Sequence, residues 1–342
     1  MHMADSLLSP AVGMTMCAAS AAAVAFSVAR VKKDDLCEKK VPVIGVMGAF
    51  VFAAQMINFT IPGTGSSGHI GGGILLAAML GGFPALLSLS AVLIIQCLFF
   101  ADGGLLALGS NIFNLGVIPC LLVYPLVYKP LVKKGLTAGR ISAASIAAVV
   151  AALQLGAFAV VLQTTLSGIT ELPFATFLAL MQPIHLAIGI IEGIVTAAVL
   201  CFVHTMRPEI MESTFAGTAM HSAVPLRKVL ALLAVITLIT AGGLSLFVST
   251  HPDGLEWSIE KTAGTAELET TNPIIESASS IQEKVAVMPG YDFRDANAET
   301  EGTGTSLAGI AGGALTFILA GISVLIISFV KKRQKDRSAV AA

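Results

Sequence analysis

Nine apolar stretches, separated by short polar or glycine-rich segments, constrain the fold of this 342-residue chain more than any other feature. Most of them are long enough to cross the roughly 30 Å hydrocarbon core of a membrane as a helix. Only 12% of the residues are charged, whereas soluble domains have about 25%. The chain is therefore predicted to be all-α, a polytopic transmembrane helical bundle of about seven helices with two more at the C-terminal end. The stretches are 9–30, 41–61, 69–82, 84–101, 103–128, 140–168, 183–206, 227–249 and 307–330.

The third and fourth stretches are the least regular, because both are short and only the sequence GGFP at 81–84 separates them. An apolar stretch of fewer than about 17 residues does not cross the membrane as a single straight helix. Tilted or partly interior helices are therefore expected at these two stretches.

Four clusters of basic residues determine the expected orientation of the helices. Short loops that carry Lys and Arg stay on the cytoplasmic side of a membrane. If nine helices cross the membrane in alternation and the first begins outside, all four clusters lie inside. An even number of helices would leave at least one cluster outside. The N-terminus is therefore predicted to lie outside and the C-terminus in the cytoplasm. The clusters are Lys32, Lys33, Lys39 and Lys40; Lys129, Lys133, Lys134 and Arg140; Arg207, Arg227 and Lys228; and the tail KKRQKDR at 331–337.

Segment 250–306 is the one sizeable exterior region that this orientation leaves. It carries eleven acidic and three basic residues and few aromatic ones. Such a composition favours a loosely structured ectodomain, with a solvated spacer as the equal alternative. A shift of charge near 207–228 also divides the chain into a seven-helix unit, 1–206, a cytoplasmic linker, 207–226, and a two-helix unit, 227–342.

The first two residues form a potential metal chelate. A bulky second residue usually blocks removal of the initiator, so Met1 is expected to keep a free amine beside His2. That amine, the amide nitrogen of His2 and its imidazole can form two fused rings around one metal. His69 lies in the Gly- and Ser-rich segment 63–73, which enters the membrane from the same side and can supply a fourth nitrogen. Four nitrogens in a plane suit Ni(II) or Cu(II). The alternative is a frayed end and an ordinary loop histidine.

Polar residues within or beside the apolar stretches are candidates for supporting these ligands. Asn111 and Asn114 share one face of a helix, and they either orient the histidines or form hydrogen bonds between helices. Ser67 is a third candidate for the supporting role. Glu192 is the costliest residue to place in a membrane, so it is expected in the bundle interior or at an interface. His185 either faces the same site or is satisfied locally at a helix end.

No catalytic motif accompanies these residues. The chain lacks the motif G-x-x-x-x-G-K-[ST], so it is not expected to hydrolyse ATP through a P-loop. It also lacks H-E-x-x-H and G-x-S-x-G, so hydrolytic catalysis has no support. The sequence therefore gives no support for an enzyme, and no organic cofactor or nucleic-acid partner is expected.

Three motifs resemble the substrate-binding membrane components of nickel and cobalt energy-coupling-factor (ECF) transporters, the CbiM/NikM family. They are MHMADSLLSP at the start of the chain, PGTGSSGHIGGGILLAAMLG at 62–81 and GSNIFNLG at 109–116. The resemblance covers roughly residues 1–206. The sequence HPDGLEWS at 251–258 resembles the PDGLE-type NikN component, so the chain is similar to a fusion of the two components.

The resemblance implies a seven-helix bundle whose N-terminal segment enters the centre, with Met1, His2 and His69 binding the metal. It implies Ni(II) as the transported substrate, with Co(II) as the alternative, and a multi-pass location in a prokaryotic cell membrane. It also implies partners, namely an ECF transmembrane coupling protein and ABC-type ATPase subunits. A self-sufficient ion-coupled carrier is a second class of function, but it would need carboxylates along the path, and Glu192 is almost the only one.

Overall fold

The computed structural model describes residues 1–33, 37–218, 226–242, 249–266, 268, 270–294 and 303–341. Within these ranges the chain is almost wholly helical, with one two-stranded hairpin. Six of the helices there are long and apolar enough to cross a membrane. The elements are α1 Pro10–Lys33, α2 Cys37–Gln55, β1 Phe59–Ile61, β2 Ser66–Gly68, α3 Gly73–Leu80, α4 Gly82–Phe100, α5 Leu108–Ile112, a π-helix Phe113–Tyr128, α6 Lys129–Val132, α7 Ala138–Ser167, α8 Phe174–Met206, α9 Pro208–Ala216, α10 Leu226–Gly242, α11 Gly254–Ala263, α12 Pro273–Val285 and α13 Thr303–Ala341.

Each of the nine predicted stretches contains a helix, and the all-α membrane bundle is confirmed. The third stretch differs from a full span, because α3 has only 8 residues and is buried throughout. Eight residues of α-helix extend about 12 Å, which is less than half of the membrane core. Gly81, with φ 91° and ψ 156°, then separates α3 from α4 in a conformation that glycine adopts without a steric penalty. The third stretch is therefore an interior half-helix.

The helices α5 and α6 and the π-helix between them follow one another without a break and form one span from Leu108 to Val132. Pro119 and Pro125 lie inside the π-helix, where each removes a backbone donor from the helix. Asn111 and Asn114 are both buried near the start of the span. This span therefore carries both asparagines into the interior of the bundle.

The C-terminal unit, residues 227–342, packs against the rest of the chain through α10 and α13, which both contact α2. Segment 250–306 contains two helices in the residues that the structure describes, so the expectation of a loose or solvated loop is wrong for them. Asp253 and Glu256 form a capping box that starts α11, and Asn272 caps α12. The acidic composition concealed these helices, because their solvent-facing sides supply the charges.

α12 is attached to the end of α4. Nε2 of Gln282 donates to the carbonyl of Cys97 at 3.0 Å and to that of Gly103 at 2.6 Å. The amide of Val287 donates to the carbonyl of Phe99 at 2.9 Å. Carbonyls in the last turn of a helix lack partners within the helix. Segment 250–306 therefore supplies hydrogen-bond donors to the end of α4 and lies over this end of the bundle.

The predicted linker, 207–226, is partly helical because it contains α9. Oγ1 of Thr214 on α9 donates to the carbonyl of Met79 near the end of α3, at 2.7 Å. α9 therefore packs under the interior half-helix, at the end of the bundle opposite the β-hairpin.

Candidate metal centre

The N-terminal segment is buried inside the bundle. Met1 and Met3 are 6% and 0% exposed. Oδ1 of Asn111 accepts a hydrogen bond from the amide of Met3 at 2.8 Å, and Nδ2 of Asn111 donates to the Met3 carbonyl at 3.2 Å. The Met1 side chain packs directly against α7, since a Cβ placed on Gly156 would lie 2.9 Å from Cε of Met1. The first residues are therefore held by packing and by the two hydrogen bonds between the Asn111 amide and the backbone of Met3. This pair of bonds is the clamp.

The amine of Met1 lies between a histidine and a carboxylate. It is 3.1 Å from Nε2 of His69 and donates to Oδ2 of Asp253 at 2.5 Å. Two nitrogens bound at right angles to one metal, each at about 2.0 Å, lie about 2.8 Å apart. The separation of the Met1 amine and His69 is therefore close to that of two neighbouring ligands in a planar site.

The imidazole of His2 stacks on His69, with 5.3 Å between ring centroids and 20° between planes. Its Nδ1 lies 3.4 Å from Oδ1 of Asp102. Burial lowers the pKa of His2 below its usual value, partly offset by Asp102, and the neutral imidazole is the form that binds metals. Because Nδ1 cannot contact Asp102 and a metal at once, chelation by this nitrogen requires the Asp102 contact to break.

Side chains alone do not form a metal site around Met1. Within the described ranges, no group of three or more His, Cys, Asp and Glu is arranged to hold a metal. A metal held here would need main-chain nitrogens as donors in addition to the histidines. A cavity of about 40 Å³ lies beside Met1 and His69, and one ion or water molecule fits a cavity of this size.

The non-helical segment 69–72 is supported by polar side chains from three helices. Nε2 of Gln55 donates to the carbonyl of Gly71 at 2.8 Å, and Nε2 of Gln96 donates to Oε1 of Gln55 at 2.9 Å. Oε1 of Glu192 accepts from the amide of Gly72 at 3.1 Å. Irregular backbone at membrane depth needs such partners. The prediction that Glu192 contacts a partner inside the bundle is therefore confirmed.

Asp253 is the residue at this centre that the sequence alone did not reveal. Burial acts to raise its pKa, but the neighbouring Met1 ammonium outweighs burial and holds the pKa of Asp253 below its usual range. Its other oxygen, Oδ1, caps α11 by accepting from Leu255 at 2.7 Å and Glu256 at 2.9 Å. The spacing of an acid three residues before Glu256 was a visible signal for that cap. It carried no information about contact with Met1.

A family model described as "Cobalt uptake substrate-specific transmembrane region" matches residues 2–210, more than half of the chain. This chain belongs to the CbiM family. A second match, to the PDGLE domain, covers residues 227–329. The CbiM family match therefore contains all the predicted ligands that follow Met1, and the PDGLE match contains Asp253.

Relatives and solved structures agree with the membership in the CbiM family. A putative metal transport protein of Haloquadratum walsbyi is 33% identical over 66% of this chain and 100% of its own length. A putative fused nickel transport protein NikMN of Archaeoglobus fulgidus is 29% identical over 93% of this chain and 96% of its own. The crystal structure of a truncated transition metal transporter, 29% identical, superposes with a TM-score of 0.52 over 60% of this chain and 99% of that one. The chain is thus a multi-pass membrane protein of a metal-transport family.

The remaining candidates in this CbiM-family chain contact backbone and amide groups. Nδ2 of Asn114 donates to Oε1 of Gln163 at 3.2 Å, and Oδ1 of Asn114 accepts from Nε2 of Gln163 at 2.9 Å. Nδ2 of Asn114 also lies 3.6 Å from Sδ of Met3. The interhelical hydrogen bond, one of the two predicted roles, is therefore present, and Asn114 acts on the N-terminal segment through Met3.

Ser67 connects the β-hairpin to the C-terminal unit. Its amide donates to the carbonyl of Pro252 at 2.8 Å, and its hydroxyl donates to the carbonyl of His251 at 2.8 Å. These bonds hold the main chain directly before Asp253. In this CbiM-family chain, Ser67 therefore positions the carboxylate that contacts Met1.

His185 lines the cavity beside Met1, and its Nδ1 lies 2.8 Å from the carbonyl of Met181. The sequence placed the start of this helix near 183, which is wrong, because α8 begins at Phe174. Pro183 and the polar Gln182 gave the impression of a helix boundary. His185 is therefore an interior residue with a local hydrogen bond and one face at the cavity.

Proposed function

We propose that this chain is the substrate-specific, metal-binding membrane component of an ATP-driven ECF-type importer, and that its substrate is Ni(II). Four nitrogens bind the ion in a plane: the amine of Met1, the amide nitrogen of His2, Nδ1 of His2 and Nε2 of His69. The proposal takes Met1 as the mature N-terminus of the protein.

The observation that carries the proposal is the 3.1 Å separation between the buried Met1 amine and Nε2 of His69. A chain end is normally solvated and mobile, whereas this one is inserted next to a histidine from a different part of the sequence. Metal binding would explain this arrangement, since an amine and an imidazole are both good donors to Ni(II). Rotation of the His2 ring away from Asp102 would add its Nδ1 to the plane.

The planar donor set favours nickel over cobalt. A deprotonated amide nitrogen in fused chelate rings suits Ni(II), whose preferred geometry with such ligands is square-planar. Co(II) is the alternative substrate. Metal analysis and the absorption spectrum of the purified protein distinguish them, because planar Ni(II) is yellow and diamagnetic.

The orientation and partners belong to the same proposal. The positive-inside rule places the end of the bundle with Met1, His69 and α11 outside the cell, where the ion is captured. The C-terminus then lies in the cytoplasm. The missing P-loop motif assigns ATP hydrolysis to partner subunits, which act through an ECF transmembrane coupling protein.

The decisive experiment changes the chain end and nothing else. An alanine inserted before Met1, exposed by removal of a new initiator, converts the Met1 amine into an amide. We expect the nickel affinity to fall by at least about 100-fold, because even changes outside the ligand set cost 10- to 100-fold at metal sites. Isothermal titration with Ni(II) measures the affinity, and mass spectrometry verifies the chain end.

The matched control carries a short tag after Ala342 and keeps the native N-terminus. Its affinity and absorption spectrum should equal those of the untagged protein. An N-terminally extended protein that binds Ni(II) with unchanged affinity and spectrum would falsify the amine ligand, and His2 would then have to bind through its imidazole alone.

A further inference from the structure

A chain of side-chain amides runs through the interior of the bundle toward His2. It begins at the carbonyl of Gly71, two residues after His69, which accepts a hydrogen bond from Nε2 of Gln55 at 2.8 Å. Oε1 of Gln55 accepts in turn from Nε2 of Gln96 at 2.9 Å. Both glutamines are buried. These three groups, the Gly71 carbonyl and the amides of Gln55 and Gln96, form an amide relay from the segment of His69 into α2 and α4.

The direction of the amide relay is fixed at its start. The carbonyl of Gly71 can only accept, so Gln55 must turn its NH2 group toward it and its oxygen toward Gln96. That oxygen needs a donor, so Gln96 directs an N–H group at Gln55. The oxygen of Gln96 is thereby left to accept a hydrogen bond from another residue.

The imidazole of His2 is a hydrogen-bond partner of the Gln96 side chain. In the part of the chain that the structure describes, Oε1 of Gln96 and Nε2 of His2 are both buried, and neither has a partner apart from the other. Buried polar atoms are almost always satisfied, and these two complement each other. Because Oε1 of Gln96 only accepts, Nε2 of His2 must be the nitrogen that carries the proton.

The other ring nitrogen of His2 has a weaker contact. Gln96 also bonds to the hydroxyl of Tyr291, which donates to Oδ2 of Asp102. Oδ1 of Asp102 lies 3.4 Å from Nδ1 of His2, beyond the usual range of about 2.7–3.2 Å for a hydrogen bond from nitrogen to oxygen. Nδ1 can therefore exchange Asp102 for a metal ion while Gln96 keeps its hold on Nε2.

We propose that Gln96 is a positioning residue that orients His2 for metal binding, a role that rests on the proposed function. Its oxygen keeps the imidazole proton on Nε2, which leaves Nδ1 as the nitrogen that binds the ion in the fused chelate rings. The hydrogen bond at one imidazole nitrogen sets which nitrogen binds a metal. Because the amide relay also holds the backbone next to His69, it fixes the two imidazoles relative to each other.

The first test examines the His2 ring in the full-length protein without metal. With isotope-labelled histidine, nuclear magnetic resonance should show a proton on Nε2 of His2 that exchanges slowly with water, and His2→Ala identifies this signal by its loss. Gln96→Met keeps the length of the side chain but removes the acceptor, so the proton should exchange rapidly.

A His2 ring without a proton on Nε2, or an unchanged signal in Gln96→Met, overturns the proposal. If Gln96→Met does not fold, the wild-type spectrum still decides, because a wild-type ring protonated only on Nδ1 contradicts the orientation.

The matched control is Gln154→Met, which removes another amide pairing between two helices. Nε2 of Gln154 on α7 donates to the carbonyl of Gln182 on α8 at 2.9 Å, and Nε2 of Gln182 donates to the carbonyl of Gln154 at 3.2 Å. These bonds involve no proposed ligand. The control should therefore keep both the His2 signal and the nickel affinity of the wild type.

The second test measures the nickel affinity by titration. Gln96→Met should weaken binding by about 10- to 100-fold, the cost of losing a group that orients a ligand. Gln96→Glu keeps an oxygen opposite Nε2 of His2, so it should bind Ni(II) more tightly than Gln96→Met, a difference that lost packing alone would not produce.

Equal affinities of Gln96→Met and Gln96→Glu, or of Gln96→Met and the Gln154→Met control, overturn the positioning role and leave the proposed function standing. If the wild type shows the protected Nε2 proton but binds no Ni(II), the proposed function fails while the hydrogen bond between His2 and Gln96 stands.

Discussion

At the scale of single residues, the proposed site keeps its charge constant. The Met1 ammonium carries one positive charge opposite Asp253, 2.5 Å away. Ni(II) carries two, and the deprotonated amide of His2 removes one, so the loaded site again carries a single positive charge. Asp253 therefore faces the same net charge before and after capture, and it need not leave the site when the ion binds.

His69 provides the sharpest test of a single ligand. We expect His69→Ala to lower the nickel affinity by at least about 100-fold, because a direct ligand contributes more than the outer partners whose loss costs 10- to 100-fold. The bundle should still fold, since His69 lies in the non-helical segment before α3. Titration with Ni(II) measures the affinity, and circular dichroism measures the helix content.

His251→Ala is the control for His69, because His251 is an exposed histidine on the same side of the protein. Its nickel affinity should match that of the wild type. A His69→Ala protein that binds as tightly as this control would rule out His69 as a ligand.

Residue chemistry explains which parts of the site were predictable. The chelating capacity of Met1 and His2 is local, so two adjacent residues suggest it. The contact between Met1 and Asp253 joins residues 252 positions apart, and it depends on how the C-terminal unit docks on the bundle. No local pattern encodes that docking. The pairing of Gln96 with Gln55 was hidden for the same reason.

At the scale of elements, hydropathy located the helices but not their depth or ends. An apolar stretch signals burial, and both a full span and the interior half-helix α3 satisfy that signal. Gly81 ends α3 after eight residues, which a sliding apolar window does not register. α11 and α12 went unrecognised because only one face of each is apolar, although the caps at Asp253 and Asn272 are visible in the sequence.

The clamp between α5 and the N-terminal segment gives an element-scale prediction. Asn111→Ala removes both hydrogen bonds to Met3 and releases the segment that carries the proposed ligands. We expect a 10- to 100-fold loss of nickel affinity, about the cost of losing a second-shell group. Titration with Ni(II) measures the affinity, and Asn58→Ala, three residues after the end of α2, serves as the control. Equal affinities in the two variants would contradict the clamp.

At the scale of the whole molecule, the proposed metal centre lies where the two family-matched parts of the chain meet. His2 and His69 come from the first part, which begins directly after Met1, and Asp253 comes from the second. The hydrogen bonds of Ser67 to residues 251 and 252 join the same two parts. The C-terminal unit therefore covers the centre rather than standing apart from it.

Deletion of residues 223–342 separates binding from transport. All proposed ligands precede residue 207, so we expect the shortened protein to bind Ni(II) within about tenfold of the full chain, on the scale of an outer-partner loss. Uptake of nickel by cells should be lost, because the cover over the centre is gone. Titration and radioactive nickel uptake measure the two quantities. A folded fragment that binds no Ni(II) would show that the C-terminal unit supplies a ligand, with Asp253 the first candidate.

In the proposed function, the energy source belongs to the partner subunits rather than to this chain. We expect nickel uptake in a host lacking its own nickel importers only when the coupling protein and ATPase subunits are produced together with the chain. An ATPase variant without its P-loop lysine should abolish uptake and leave nickel binding intact. Uptake by the chain alone, driven by an ion gradient, would favour the self-sufficient carrier.

Met1 is made long before Asp253, so the contact between them can form only late in the synthesis of the chain. At about 5–20 residues per second, a ribosome needs on the order of 10 to 50 s to add the residues between them. In the proposed orientation, the amine crosses the membrane during that interval, before its carboxylate has been made. The end of the molecule that we propose to bind the metal is therefore the first to be translated and the last to be completed.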